Sequence, residues 1–352
     1  MADSERNKLD FIFSVHGPGI KEASLAAKRF KASYEKEHGR RIVGGHAPIG
    51  RYSPDYADIS LIKDRNKLPD VVGGMGFGEY IDKVFTARYV DTDCFKGITY
   101  PRAAISLFDG IKLSDNKCAY HIYGGSAFVM LVDERKLGGA PMPQCWDDLL
   151  KPCYRDKIVC GFNIDDINEI FLIYLFKDHG DDGLRAFAEN LVKPIDTLDM
   201  MRTSLIQQNN NAIYLMPHFF ACSAPKESYL HIVWPDEGAL FVPYYFLTQN
   251  KNEELDKAII NFFLSDDLAS ALTKMNLFHI YSQLGSVDPA RGFSERSLYG
   301  ARDRTFKWLG WDWLLKQDII KLMKHIDSIV TPIVLSKNPM LRKDIGKALW
   351  NG

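Results

Sequence analysis

Apolar and polar positions alternate along this chain in blocks that switch between strand and helix rhythm. Residues 9–15 alternate weakly and predict a first strand, which ends in the turn His16-Gly17-Pro18-Gly19. A helical rhythm follows at once, with Ala23, Ala26, Ala27 and Phe30 on one face, running to Glu37 and closed by Gly39. Arg41-Ile42-Val43 predicts a second strand. Strand, glycine turn, helix and strand in this order imply a parallel pair. Residues 68–72 read as a short buried strand ending at Gly73-Gly74. Residues 119–132, rich in β-branched and aromatic side chains, predict a strand that leaves the first lobe.

The same alternation continues beyond residue 145. Residues 146–150 start a short helix with Asp147 and Asp148 near its N-terminus. Residues 157–162 predict a strand, and Asn163 or Asp165 caps the helix that follows, which Gly180 ends. Leu184, Phe187, Ala188 and Leu191 mark another helix, and residues 200–208 a third. A strand at 211–216 is stopped by Pro217. Strands at 232–233 and 240–247 return to the first lobe, and amphipathic helices follow at 255–264 and, after the cap at Ser265, up to Lys274. Residues 304–329 predict helix, with Trp308, Trp311 and Trp313 as packing anchors. The expected organisation is therefore a discontinuous lobe 1 (1–125 plus 240–352) with lobe 2 (126–239) inserted. The chain crosses between them near 120–132 and 232–247, a hinge made of strands.

Composition narrows the function classes. A chain of 352 residues exceeds one comfortable core. Its net charge of -1 gives no global attraction to nucleic acid or to a membrane surface. No run reaches the roughly 18 apolar residues of a spanning helix. The six cysteines match no zinc or iron–sulfur spacing and read as buried free thiols, which suit a reducing compartment. The polar N-terminus carries no signal-peptide pattern. The expectation is a cytoplasmic protein as written, or an exported one whose signal has been removed, and a monomer in either case.

Four loops qualify as candidate ligand contacts, because ligands of open α/β sheets sit beyond the carboxyl ends of strands. Ser14, His16, Gly17 and Gly19 precede a helix whose first N–H groups favour an anion. Gly73 and Gly74 allow a ligand to approach the backbone. Asn163 and Asp165 belong to a third loop, and His218, Phe219 and Phe220 to a fourth, read as a cleft rim that stacks on a planar solute. Each has a bland alternative: a tight turn, a flexible joint, a helix cap, or a core aromatic pair. His16 and His218 are the weak candidates for a metal, without a close His-x-x-x-His spacing to support them. No cofactor is expected, and a bound metal ion or small anion stays open.

Certain phrases point to a family. The stretch 145–159, with Trp146-Asp147-Asp148-Leu149-Leu150-Lys151-Pro152 and Lys157-Ile158-Val159, is similar to a stretch of the bacterial extracellular solute-binding proteins of ABC transporters. Pro235-Asp236-Glu237-Gly238-Ala239, the 251–272 helix region and Leu68-Pro69-Asp70-Val71-Val72 resemble further segments of the same family. The resemblance spans roughly residues 9–285 and fits best the branch that includes ferric iron, thiamine, polyamine and phosphonate binders. It implies an α/β, two-lobed type 2 periplasmic-binding-protein-like fold, each lobe a mixed sheet flanked by helices. Where ferric binders of this branch carry two adjacent tyrosines, this chain has Phe219-Phe220, and a phenyl ring cannot offer phenolate oxygen to a hard trivalent ion.

The resemblance implies a protein that closes on a small solute or ion, acting with an ABC permease and without a covalent step. Two alternatives stay open. One is an enzyme on the same fold, similar to a thiamine-pyrimidine synthase, although the cysteine motif expected of that family is missing. The other is a cytoplasmic ligand sensor that reports its closed state to a partner.

Overall fold

The computed structural model describes residues 9–46, 62–78, 80–160, 170–192, 211–224, 227–282 and 304–337, together with the backbone of 298–300. In chain order the main elements are β1 (Phe11–Phe13), α1 (Ile20–His38), β2 (Gly44–His46), β3 (Val71–Met75), β4 (His121–Asp133), β5 (Ile158–Val159) and α2 (Ile170–Asn190). There follow β6 (Ile213–Pro217), α3 (His218–Ala221), β7 (Leu230–Trp234), β8 (Ala239–Thr248), α4 (Glu253–Phe263), α5 (Asp266–Thr273) and β9 (Phe278–His279). The C-terminal part holds β10 (Leu298–Gly300), β11 (Phe306–Lys307), α6 (Trp311–Leu314) and α7 (Ile319–Lys337).

The chain forms two compact units. Unit 1 comprises residues 1–126, 241–292 and 310–319, and unit 2 comprises 127–240, 293–309 and 320–352. Strands β4 and β8 each pass from one unit to the other. The sequence expectation assigned everything after residue 240 to the first lobe. Instead 304–309 and 320–337 group with unit 2, because their apolar side chains pack there.

In unit 1, β1 pairs in parallel with β2 and β3, and β3 pairs antiparallel with β8 from Val71 opposite Thr248 to Met75 opposite Tyr244. The second strand lies three residues beyond the expected Arg41–Val43. Val43 instead gives its carbonyl to the Asp10 N–H, and its own N–H donates to the Asp10 carboxylate. Helix α1 buries Ala23, Ala26, Ala27 and Tyr34, and Gly39 closes it in the left-handed conformation (φ 64°) that a Cβ would disfavour. Phe30 of α1 stacks on Phe262 of α4 with centroids 4.9 Å apart, and Phe246 of β8 stacks on Phe263 at 5.0 Å. These rings close the core between sheet and helices.

Unit 2 is built on the second half of β4, which pairs antiparallel with both β6 and β7. Strand β5 joins β6 in parallel, β10 joins β7, and β11 joins the first residues of β8. The two helices expected on either side of Gly180 are present: the span labelled α2 is broken there by non-helical backbone (φ 59°, ψ −151°), as the glycine stop predicts. The region expected to be helical from 304 opens instead with β11. Its long helix, α7, buries Leu322, Met323, Ile326, Ile329, Val330 and Val334. Its end is fixed by Lys337, whose ammonium donates to the carbonyls of Glu189 and Leu191 and pairs with Asp156.

The family-like phrases organise unit 2. Asp148 accepts from the N–H groups of Gln144 and Cys145, and Glu237 accepts from the Trp146 N–H at 2.7 Å. These carboxylates satisfy donors at the N-terminus of the helical turn Trp146–Leu150, where the helix dipole favours negative charge.

Candidate functional site

In unit 1 the carboxyl ends of the parallel strands bring together three of the sequence's histidine and glycine positions. β1 leads into Ser14-Val15-His16, β2 ends at His46, and β3 runs into Gly76. His16 is buried. Its Nδ1 lies 2.7 Å from the Tyr244 hydroxyl, and its backbone N–H donates to the same oxygen at 3.3 Å. Ser126, near the middle of β4, also hydrogen-bonds Tyr244. Burial lowers the His16 pKa to about 3, so the ring is neutral at physiological pH. Burial likewise raises the Tyr244 phenol, which stays protonated. His46 hydrogen-bonds the backbone of Val15 and is also shifted down by burial. The site is thus polar but uncharged.

Adjacent strand residues face opposite sides, and Tyr244 and Tyr245 do so here. Tyr244 turns to His16 and Tyr123, whereas Tyr245 packs on Tyr120 and Trp311. Two of the glycine candidates are corrected by this packing. Gly73 and Gly74 lie inside β3, paired with Phe246 and Tyr245 of β8. A Cβ on Gly73 would meet the Phe13 Cβ at 2.7 Å, and one on Gly74 the Tyr245 hydroxyl at 2.6 Å. The missing side chains make room for protein rings, not for a ligand. Gly19 has the same role, since a Cβ there would come within 2.5 Å of Leu277. Gly17 is different: it is exposed and has open space around it. Ser14 is buried at the end of β1. Asn163 and Asp165 lie outside the described residues.

The fourth loop belongs to unit 2 and differs from its expected rim position. His218 and Phe219 are buried, and only Phe220 is half-exposed. The His218 ring stands edge-on to Trp234 with centroids 5.7 Å apart, and its Nε2 lies 3.3 Å from the Cys222 Sγ. The Arg304 guanidinium lies 5.8 Å from the centre of the Trp234 ring. Burial lowers the Arg304 pKa and pushes the Cys222 thiol up to about 12.

Sequence reasoning missed Tyr244 and Ser126 as partners of His16. Tyr244 could have been found by asking which polar side chain of an apolar strand meets the end of β1. Ser126 stands out as the one serine or threonine in the apolar run from Tyr123 to Val132. The same reasoning read Cys222 only as one of six buried free thiols and gave Arg304 no role beyond the start of the C-terminal region. His121 is a structural residue, held by the Ser114 hydroxyl at 2.9 Å and the Lys96 carbonyl at 3.1 Å. Among the described residues no group of three or more His, Cys, Asp or Glu side chains is arranged to hold a metal ion. No helix among them is long and apolar enough to cross a membrane.

A mixed α/β chain in two units, each carrying a polar cluster and joined through shared strands, defines the periplasmic-binding-protein class of fold. The sequence model of that class described as "bacterial extracellular solute-binding protein" matches residues 66–317, and the chain belongs to this family. No curated protein matches the chain. Solved structures share the fold at low identity. The chain is similar to a ferric binding protein from Campylobacter jejuni (14% identity, 93% of this chain and 99% of that one covered, TM-score 0.56). It is also similar to a Trichodesmium protein solved in complex with iron and citrate (13%, 91% and 98%, TM-score 0.62). A third similar structure is that of an ABC transporter from Clostridium perfringens (16%, 92% and 100%, TM-score 0.63).

Proposed function

We propose that this chain is the solute-binding component of an ABC-class importer, taking a small solute by hinge closure and handing it to a permease. The observation that carries this reading is the family match over residues 66–317. We place the hinge in β4 and β8, the strands that pass from one unit to the other. The ligand contacts of unit 1 are assigned to His16, Tyr244, Ser126 and the open turn at Gly17. A neutral imidazole and a protonated phenol offer directional hydrogen bonds rather than charge. They suit a solute with hydroxyl, carbonyl or amide groups. Ferric iron, carried by some proteins of similar fold, is disfavoured as cargo because Phe219-Phe220 supply no phenolate.

We read the protein as a binder and not an enzyme. The thiol of Cys222, pushed up to about 12, is protonated at neutral pH and is a poor nucleophile despite its histidine neighbour. The test is a thermal-shift screen of sugars, amines, amino acids, phosphonates and vitamins. A solute at a hundred times its Kd should stabilise the fold by about 2.7 kcal/mol. Tyr244→Phe should fold and lose most of that shift. Turnover of a screened compound, with no compound raising the melting temperature, sinks the reading.

A further inference from the structure

We infer that Gly310 is a third pivot of the hinge, in addition to the crossings in β4 and β8. The chain leaves unit 2 after Leu309, runs through unit 1 from Gly310 to Ile319, and returns to unit 2 with the rest of α7. This passage leaves unit 2 alongside β8. β11 pairs in parallel with Ala239 and Leu240, the last residues of β8 that belong to unit 2. The tryptophan-rich C-terminal stretch thereby gains a mechanical role.

Both flanks of Gly310 are fixed. On the unit 2 side the Leu309 carbonyl accepts from the Lys177 ammonium at 3.0 Å, and the Lys307 carbonyl accepts from the Tyr174 hydroxyl at 3.1 Å. The Lys307 ammonium also pairs with Asp178. On the unit 1 side Trp311 is buried, stacked on Tyr120 and edge-on to Tyr245, with its indole N–H on the Lys112 carbonyl. Asp312 accepts from Asn116, and the Leu315 carbonyl accepts from the Lys83 ammonium. A single residue lies between the two anchors, and it spans at most about 3.6 Å. Hinge closure must therefore be absorbed by φ and ψ of Gly310, or else pull Trp311 from between its tyrosines. The return to unit 2 has more slack, with Lys316, Gln317 and Asp318 outside both helices. Glycine suits the tight position. Gly310 sits at φ 81° and ψ 140°, which a side chain disfavours, yet a Cβ there would meet nothing within 4 Å. The need for glycine is thus conformational and owes nothing to packing.

The inference rests on the hinge reading above, but its test needs no solute, so it can fail while solute binding stands. Nitroxide labels go on two exposed thiols of the full chain, Cys118 in unit 1 and Cys153 in unit 2. Cys145→Ser and Cys222→Ser remove the half-buried thiols from the background. Pulsed electron paramagnetic resonance then reads the distribution of distances between the labels. Gly310→Ala should move its main peak by several ångströms, because residue 310 leaves its present φ. Three glycines inserted after position 310 add up to roughly 10 Å of reach. Alone they should broaden the parent distribution, and in the Gly310→Ala variant they should bring back the parent peak. The same insertion after Gly110, in an exposed turn of unit 1, should change nothing. All these variants should melt within a few degrees of the parent. A Gly310→Ala peak that coincides with the parent's overturns the proposal, and so does an insertion after 310 that leaves the width unchanged.

Discussion

The indole N–H of Trp146 donates to the carbonyl of Gly238 at 2.9 Å, joining two family-like phrases 92 residues apart in the chain. The bond is buried and runs beside two others, from the Trp146 N–H to Glu237 and from the Asp236 N–H to the Gln144 carbonyl. The phrases that signal the family are thus two halves of one clasp. Trp146→Phe should cost about 1–2 kcal/mol, because it leaves a buried carbonyl unsatisfied. Gly238→Ala should cost more, roughly 3 kcal/mol. Its φ is 102° and a Cβ would lie 2.6 Å from the Lys307 backbone nitrogen, which cannot move aside cheaply. Urea denaturation of both variants measures the order, and equal costs would contradict it.

The glycines separate by the same kind of measurement. Gly74→Ala should lose about 1–3 kcal/mol, since Tyr245 is wedged between Tyr120 and Trp311 and has nowhere to go. Gly17→Ala should stay within about 0.5 kcal/mol of the parent, as nothing stands near its added methyl. If Gly17→Ala keeps its stability but loses the solute-induced shift, the turn contacts the ligand. A full shift in that variant would remove Gly17 from the site.

Acid should destabilise the fold well above the carboxylate range. His16 titrates at about 3 and His279 at about 4 when folded, both lowered by burial. In the unfolded chain they titrate near 6.5. Between those limits the unfolded state binds more protons, so stability is fully present above about pH 6.5 and is lost as pH falls towards 4. His279 also accepts the Tyr281 N–H at Nδ1 and lies 3.0 Å from the Phe263 carbonyl through Nε2, an arrangement that a second ring proton would break. Denaturation midpoints at pH 7.5, 6.0 and 5.0 should fall in that order. His279→Gln should flatten the slope, and an unchanged slope in that variant would refute the assignment.

Trp311 and Trp313 should differ sharply. Trp311 is buried, stacks on Tyr120 at 5.1 Å and donates its indole N–H to the Lys112 carbonyl at 3.1 Å. Trp311→Ala should cost about 3–5 kcal/mol. Trp313 is partly exposed, and its alanine variant should cost about 1 kcal/mol or less. Melting curves of the two variants decide the point.

The elements with their own local signature were legible in the sequence. Helix α1, with its alanine face and Gly39 stop, and helix α5, capped by the Ser265 hydroxyl on the Leu268 N–H, lie within a residue or so of where periodicity put them. What could not be read was the identity of neighbours across the sheet. Gly73 and Gly74 looked like a strand end because glycine is poor in strands, yet the bulky rings of Phe13 and Tyr245 need the space. His218 looked like a rim residue because its ring packs on Trp234, which is sixteen positions away, on strand β7. His16 was found from its place after β1, but its partner Tyr244 lies 228 positions further on, beyond any local rule.

The family match ends at residue 317, and α7 begins at Ile319. That helix contributes seven residues, Ile319 to Val334, to the buried apolar surface, and its last lysine ties down the carbonyls at the end of α2. A chimera or fragment cut at the edge of the recognisable family would therefore expose an oily seam on unit 2. It should come out of cells as aggregate. For this chain, the boundary of likeness is not the boundary of a foldable piece.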